Sequence, residues 1–241
     1  MTKRINFSRI LIIGLFTLSA CIPTKSTIFQ DNSCSPPCWE NITPGVTTNS
    51  ELELLLQEKI FLPPAQIYHD DYYDGFRNYY YGMLSTQEEI VIALLQNTAS
   101  FIYFSGLKDR RGLGITFGDA IRLFGEPEFI IVSQCAGIQK FLGIVRGPFE
   151  FICISAISPQ KGVWFSSGYP LPDQYELSDL NIIFRADSEI SEIAFFDPDQ
   201  FEKLANKGRF SHLNFNSQQL RERLYPWAGY GDLDTKYPFI P

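Results

Sequence analysis

Five cysteines, an odd number, constrain this 241-residue chain more than any other feature. Cys21 closes a segment that is first basic and then apolar, while Cys34, Cys38, Cys135 and Cys153 lie beyond it. Lys3, Arg4 and Arg9 precede an apolar run, Ile10 to Phe16, which is too short to cross about 30 Å of hydrocarbon as a helix. Residues 1–20 therefore read as an export signal, and an exported chain meets a compartment in which disulfides persist. Four internal thiols allow three pairings. Cys34-Ser35-Pro36-Pro37-Cys38 closes a loop that two prolines already bend, and Cys135 and Cys153 sit in strand-like runs. The expected pairs are Cys34–Cys38 and Cys135–Cys153. A C-x-x-x-C spacing also suits a soft metal or a redox role, but His69 and His212 are the only histidines and no βαβ pattern surrounds Cys34.

Composition narrows the function classes. The chain is 45% hydrophobic and 15% aromatic, enough for a sizeable core and unlike a disordered tail. Its formal charge is −7, which argues against a nucleic-acid partner, since phosphate binding needs clustered Lys and Arg. Loss of residues 1–20 takes three bases and no acids, so the remainder, 21–241, moves from a charge of −7 to −10. Anionic head groups repel such a domain, so its folded part is expected to be held off the surface by residues 21–40, a Pro-, Ser- and Thr-rich spacer.

Two helix starts follow. Thr47 or Thr48 caps the first, with Glu51 in its first turn and Leu52, Leu55 and Leu56 as an apolar stripe. Thr116 caps the second, Ile121 and Phe124 form its stripe, Gly125 ends it and Pro127 blocks a restart. Gly45 and Gly114, Thr47 and Thr116, Leu52 and Ile121, and Leu55 and Phe124 all share one offset, the mark of an internal duplication. Alternating aromatic and β-branched runs predict strands over 76–84, 89–96, 100–107, 128–135, 140–146, 149–157 and 162–166. Turns are expected at Ala136-Gly137 and Gly147-Pro148. Runs 180–185 and 189–196 read as a hairpin, followed by helices from Asp197-Pro198 to about Asn206 and from Ser217. The expected architecture is α+β, with two similar units over 41–108 and 109–241, each a short helix on an antiparallel sheet, the second with a C-terminal helical extension.

Leu18-Ser19-Ala20-Cys21 resembles the lipobox of bacterial lipoproteins. The resemblance implies that Cys21 becomes the first mature residue and carries diacylglycerol, so that the chain is tethered to the bacterial cell envelope on its extracytoplasmic side. The Gly-x-Thr, helix, Phe-Gly-Glu-Pro, strand signature at 114–127 is similar to the α+β unit of the BamE (OmlA/SmpA) lipoproteins and of the β-lactamase inhibitor proteins, which carry two such units in tandem. Pro37-Cys38-Trp39 and Trp227-Ala228-Gly229-Tyr230-Gly231 also look like a group of bacterial lipoproteins that has no activity to carry over. These likenesses imply a binding or scaffolding role with a protein partner.

No nucleophile elbow, zincin motif or P-loop is present. Gly112-Leu113-Gly114 lacks the spacing and the acidic partner of a dinucleotide loop. His69, Asp70, Asp71 and Asp74 are the densest set of potential ligands for a hard cation, although the same residues make an ordinary acidic loop. Tyr79, Tyr80 and Tyr81 cannot all be buried by an alternating strand, so at least one is a candidate interface residue. No cofactor and no catalysis are expected. The leading expectation is a lipid-anchored binding or envelope-assembly module; the alternatives are an inhibitor of an exported hydrolase, or a hydrolase or metal-binding protein.

Overall fold

A computed structural model describes residues 28–29, 34–58, 62–68, 78–83, 88–106, 112–141, 144–171, 182–206 and 222–237. The elements in chain order are α1 (Asn49–Glu58), β1 (Leu62–Tyr68), β2 (Asn78–Met83), β3 (Glu88–Leu95), β4 (Thr98–Gly106), α2 (Phe117–Phe124), β5 (Phe129–Phe141), β6 (Ile144–Ser158), β7 (Val163–Pro170), β8 (Ile183–Phe184), β9 (Glu192–Phe196), α3 (Phe201–Asn206), β10 (Tyr225–Pro226), β11 (Gly231–Asp232) and α4 (Leu233–Lys236). The chain is thus mostly antiparallel sheet with a few short helices. Among the described residues nine strands form one sheet in the order β1-β2-β3-β4-β9-β7-β6-β5-β10, and β8 pairs with β11 apart from it.

The central seam joins β4 to β9, with Phe101 opposite Phe196, Tyr103 opposite Ala194 and Ser105 opposite Glu192. Paired residues share a face, so the seam puts Ile102, Phe104, Ile193 and Phe195 on one side and Phe101, Tyr103, Ala194 and Phe196 on the other. The first side packs with Leu52 of α1 and with Phe117, Ala120 and Phe124 of α2. The second packs with Phe201, Leu204 and Ala205 of α3.

Helices α1 and α2 begin with the same device. Thr48 Oγ1 accepts from Glu51 N at 3.4 Å while the Glu51 carboxylate accepts from Thr48 N at 2.8 Å. Thr116 and Asp119 repeat this reciprocal box at 3.2 and 3.0 Å. Main-chain bonds recur as well. Gly45 N donates to Ala99 O, Ala99 N to Thr47 O and Asn49 N to Asn97 O. Further along, Leu113 N donates to Ile190 O, Ile190 N to Ile115 O and Phe117 N to Ser188 O. The cap of α1 is therefore Thr48, and it is Thr48, not Thr47, that corresponds to Thr116. In hydrogen bonding Gly45 is placed like Leu113 and not like Gly114, one residue away from the spacing expected from the side chains.

Several expectations change. The stretch 21–40 is not a spacer throughout: Ile28 and Trp39 are buried, and Trp39 Nε1 donates to Ile28 O at 3.1 Å. Phe29 packs edge-on against Phe104, Phe124 and Phe195, with centroids 5.4, 5.8 and 6.0 Å away. Burying these rings outweighs the Pro, Ser and Thr composition that reads as linker. The turns expected at Ala136-Gly137 and Gly147-Pro148 lie inside one long β5–β6 ribbon, where Ile138 faces Pro148 and Gln139 faces Arg146. Gly147 is the extra residue of a bulge there, so the Gly and Pro mark a bend in pairing and not a reversal. Runs 180–185 and 189–196 do not pair with each other, because β4 and β7 occupy both edges of β9 and β8 pairs with β11. Strand β1 is not among the expected runs, since Pro63 and Pro64 argue against a strand; they are tolerated because β1 is an edge. The helix expected from Ser217 lies outside the described residues.

Replacing Trp39 by Ala should lower stability by about 3–5 kcal/mol in urea unfolding. A loss under about 1 kcal/mol would contradict the docking of this segment into the core.

Candidate functional site

The side of the sheet that carries α3 is mostly apolar, and one polar row interrupts it. Register aligns Glu89 of β3, Ser105 of β4, Glu192 of β9, Ser166 of β7 and Ser155 of β6 across five adjacent strands. Ser105 is 7% exposed, Glu192 9%, and Ser155 and Ser166 1% each. Burying an ionised carboxylate costs several kcal/mol unless hydrogen bonds surround it; the tyrosine beside the row supplies one to Glu192, whose Oε2 is buried without one among the described residues. Ser105 Oγ donates to Glu89 Oε1. Ser155 and Ser166 hydroxyls meet at 3.2 Å.

That tyrosine is Tyr103, two residues before Ser105 and on the same face. Its phenol hydrogen-bonds to Glu192 and Ser105, and its ring stacks with Phe101 and Trp164 at 6.2 and 6.4 Å. Burial pushes its pKa well above the usual phenol range, and the negative charges of Glu192 and Glu89 push it further the same way. The phenol therefore keeps its proton and remains a hydrogen-bond donor. Together these groups form a narrow acidic strip, set into an aromatic wall and reaching partial exposure at Glu89. Its chemical capacity is to accept hydrogen bonds.

A separate cleft of about 500 Å³ lies at the end of β7. Tyr169, Leu171, Ile182 and Ile183 form its apolar wall, with Arg185, Asp187 and Ser188 at its rim. The Tyr169 hydroxyl bonds to Ser188 Oγ, and burial raises its pKa above the ordinary value. The turn that carries Ser188 is fixed by α2, because Gly118 N donates to Ala186 O at 2.8 Å.

Of the sites expected from the sequence, both disulfides are present. Cys34–Cys38 spans 5.6 Å between Cα atoms and Cys135–Cys153 spans 6.0 Å. The second is diagonal, since Cys135 faces Phe151 and Cys153 faces Ser133. Loop closure over separations of 4 and 18 residues stabilises by about 2 and 3 kcal/mol respectively in the chain-entropy model. Cys21, His69, Asp70, Asp71, Asp74 and His212 lie outside the described residues. Among the described residues no group of three or more His, Cys, Asp or Glu is placed to hold a metal. Tyr79, Tyr80 and Tyr81 are in β2, opposite Ala93, Ile92 and Val91; their side chains lie outside what is described. The acidic strip has no local sequence signal. Ser105 and Glu192 are single polar residues at strand ends, and only their register brings them together.

No family model, curated protein or solved structure matches the chain.

Tyr103 has a higher folded than unfolded pKa, so its contribution is whole below about pH 10 and is lost as pH rises through the folded value. Stability should then fall by up to about 1.4 kcal/mol per pH unit above about pH 10 on its account. Tyr103→Phe should remove that part of the slope in urea unfolding measured from about pH 9 to about pH 11; an unchanged slope would refute the assignment.

Proposed function

We propose that the protein is a lipid-anchored, extracytoplasmic binding or envelope-assembly module, non-catalytic and built from two similar α+β units. The observation that carries the reading is the Leu18-Ser19-Ala20-Cys21 motif behind a basic and apolar segment, joined to two disulfides in the chain that follows. Disulfides of this kind belong to an oxidising compartment, and the acyl chains on Cys21 provide the membrane contact that an acidic chain lacks.

Support for two units comes from the recurrence of three main-chain bonds and a reciprocal Thr–carboxylate box, whose helix-side residues share one offset and whose strand-side partners share another. The strand order adds to it: β1 to β4 run from edge to centre in sequence order, and β5, β6, β7 and β9 run inward in sequence order from beside the short outer strand β10. The partner is a protein, and at least one of Tyr79, Tyr80 and Tyr81 in β2 is the candidate contact.

Radiolabelled palmitate should be incorporated by the wild type and not by Cys21→Ser; equal labelling of both would refute the anchor. Crosslinking in intact cells should then capture one protein reproducibly with the wild type. Turnover of an exported polymer or ester by the purified chain would overturn the non-catalytic reading.

A further inference from the structure

We infer that the side of the sheet bearing α1 and α2 faces the bilayer, with Val46, Leu54, Leu123 and Ile183 meeting a zwitterionic headgroup layer. The inference rests on the Cys21 anchor proposed above. Six residues separate Cys21 from Ile28, and seven Cα steps reach at most about 25 Å. A domain of this size is roughly 40 Å across, so the surface at which Ile28 enters cannot turn fully away from the membrane.

That entry surface is defined. Phe29 sits on the seam, against Phe104 of β4, Phe195 of β9 and Phe124 of α2, all on the side of α1 and α2. Phe29 therefore fixes this part of the chain in the layer between the sheet and α2, within a short reach of Cys21.

Exposure agrees with this. Among the residues whose side chains are described, the large apolar ones left exposed are Val46 (69%), Leu54 (63%), Leu123 (48%) and Ile183 (48%). Val46 precedes α1, Leu54 is on α1 and Leu123 on α2. Ile183 is on β8, whose Phe184 packs edge-on against Phe117 of α2 at 4.6 Å. Leu54, Leu123 and Ile183 thus lie on elements of the α1 and α2 side. Scattered exposed leucines are ordinary; it is their confinement to the side on which the chain enters that picks out a membrane-facing layer. Glu51 and Glu53 on α1 repel anionic lipid, and Arg122 on α2 is paired with Asp119. The surface thus fits a neutral, zwitterionic headgroup layer.

The test uses the full lipidated chain in phosphatidylcholine vesicles that contain a phosphatidylcholine with a photoactivatable diazirine. Vesicles are floated, illuminated and the adducts mapped by mass spectrometry. Adducts are expected in peptides holding Val46, Leu54 and Leu123, and Leu54→Ser with Leu123→Ser should cut labelling there at least threefold without affecting flotation. Adducts on 201–206, or none on the α1 and α2 layer, in protein that floats and carries diacylglycerol on Cys21 would overturn the orientation and leave the anchor standing. Protein that neither floats nor carries the lipid would overturn the anchor and the orientation with it.

Discussion

The whole sheet depends on the β4–β9 seam. It pairs residues 101–105 with 192–196 and supplies the middle of both cores. Phe104 and Phe195 are 6.0 Å apart on the side of α1 and α2, and Phe29 and Phe124 close over them. Each such edge-on pair contributes about 0.5–1.5 kcal/mol beyond area burial. On the opposite face the same seam brings Ser105 beside Glu192 and Tyr103 beside Ala194. A one-residue slip of β9 would carry Glu192 into the phenylalanine cluster and turn Phe195 towards the polar row. The buried carboxylate therefore penalises the wrong register more than it stabilises the right one.

The two sides of the sheet place polar groups differently. The side of α1 and α2 has them at its edges, apart from Ser167 of β7, whose hydroxyl donates to Glu189 O. There Thr48 and Thr116 satisfy amides in the first turns of the two helices, and the Tyr237 hydroxyl accepts from Ala228 N and donates to Gly229 O. The α3 side has them inside the sheet. Ser133, opposite Cys153 in register, is buried with its hydroxyl unbonded among the described residues. That hydroxyl carries a desolvation cost of about 1–3 kcal/mol, and the neighbouring disulfide offsets a cost of this order by closing the β5–β6 ribbon.

Local signals were legible in the sequence where the physics is local. The second helix is bounded by Thr116 and Gly125, the residues that cap it and turn out of it. Glu88–Leu95 is a strand, as its run of β-branched residues implies, and the two disulfides follow from loop length and strand proximity. What could not be read is set by partners distant in sequence. Pro63 and Pro64 look like breakers until β1 is known to be an edge. Gly137 and Pro148 look like turns until they are seen within a bulged ribbon. Ile28 and Phe29 look like linker because the rings that pack on Phe29 come from 104, 124 and 195. The acidic strip is legible only after five strands have been aligned.

The seam also fixes an order of events. Its partners lie further apart in the chain than those of any other pairing in the sheet except the short β5–β10 contact, so the centre of the sheet closes late. As the chain emerges N-terminus first, β4 is made long before β9 exists and must wait with one edge open, the situation that invites aggregation. The aromatic pocket for Phe29 is completed only when Phe195 arrives. A segment near the start of the chain is therefore among the last to find its place.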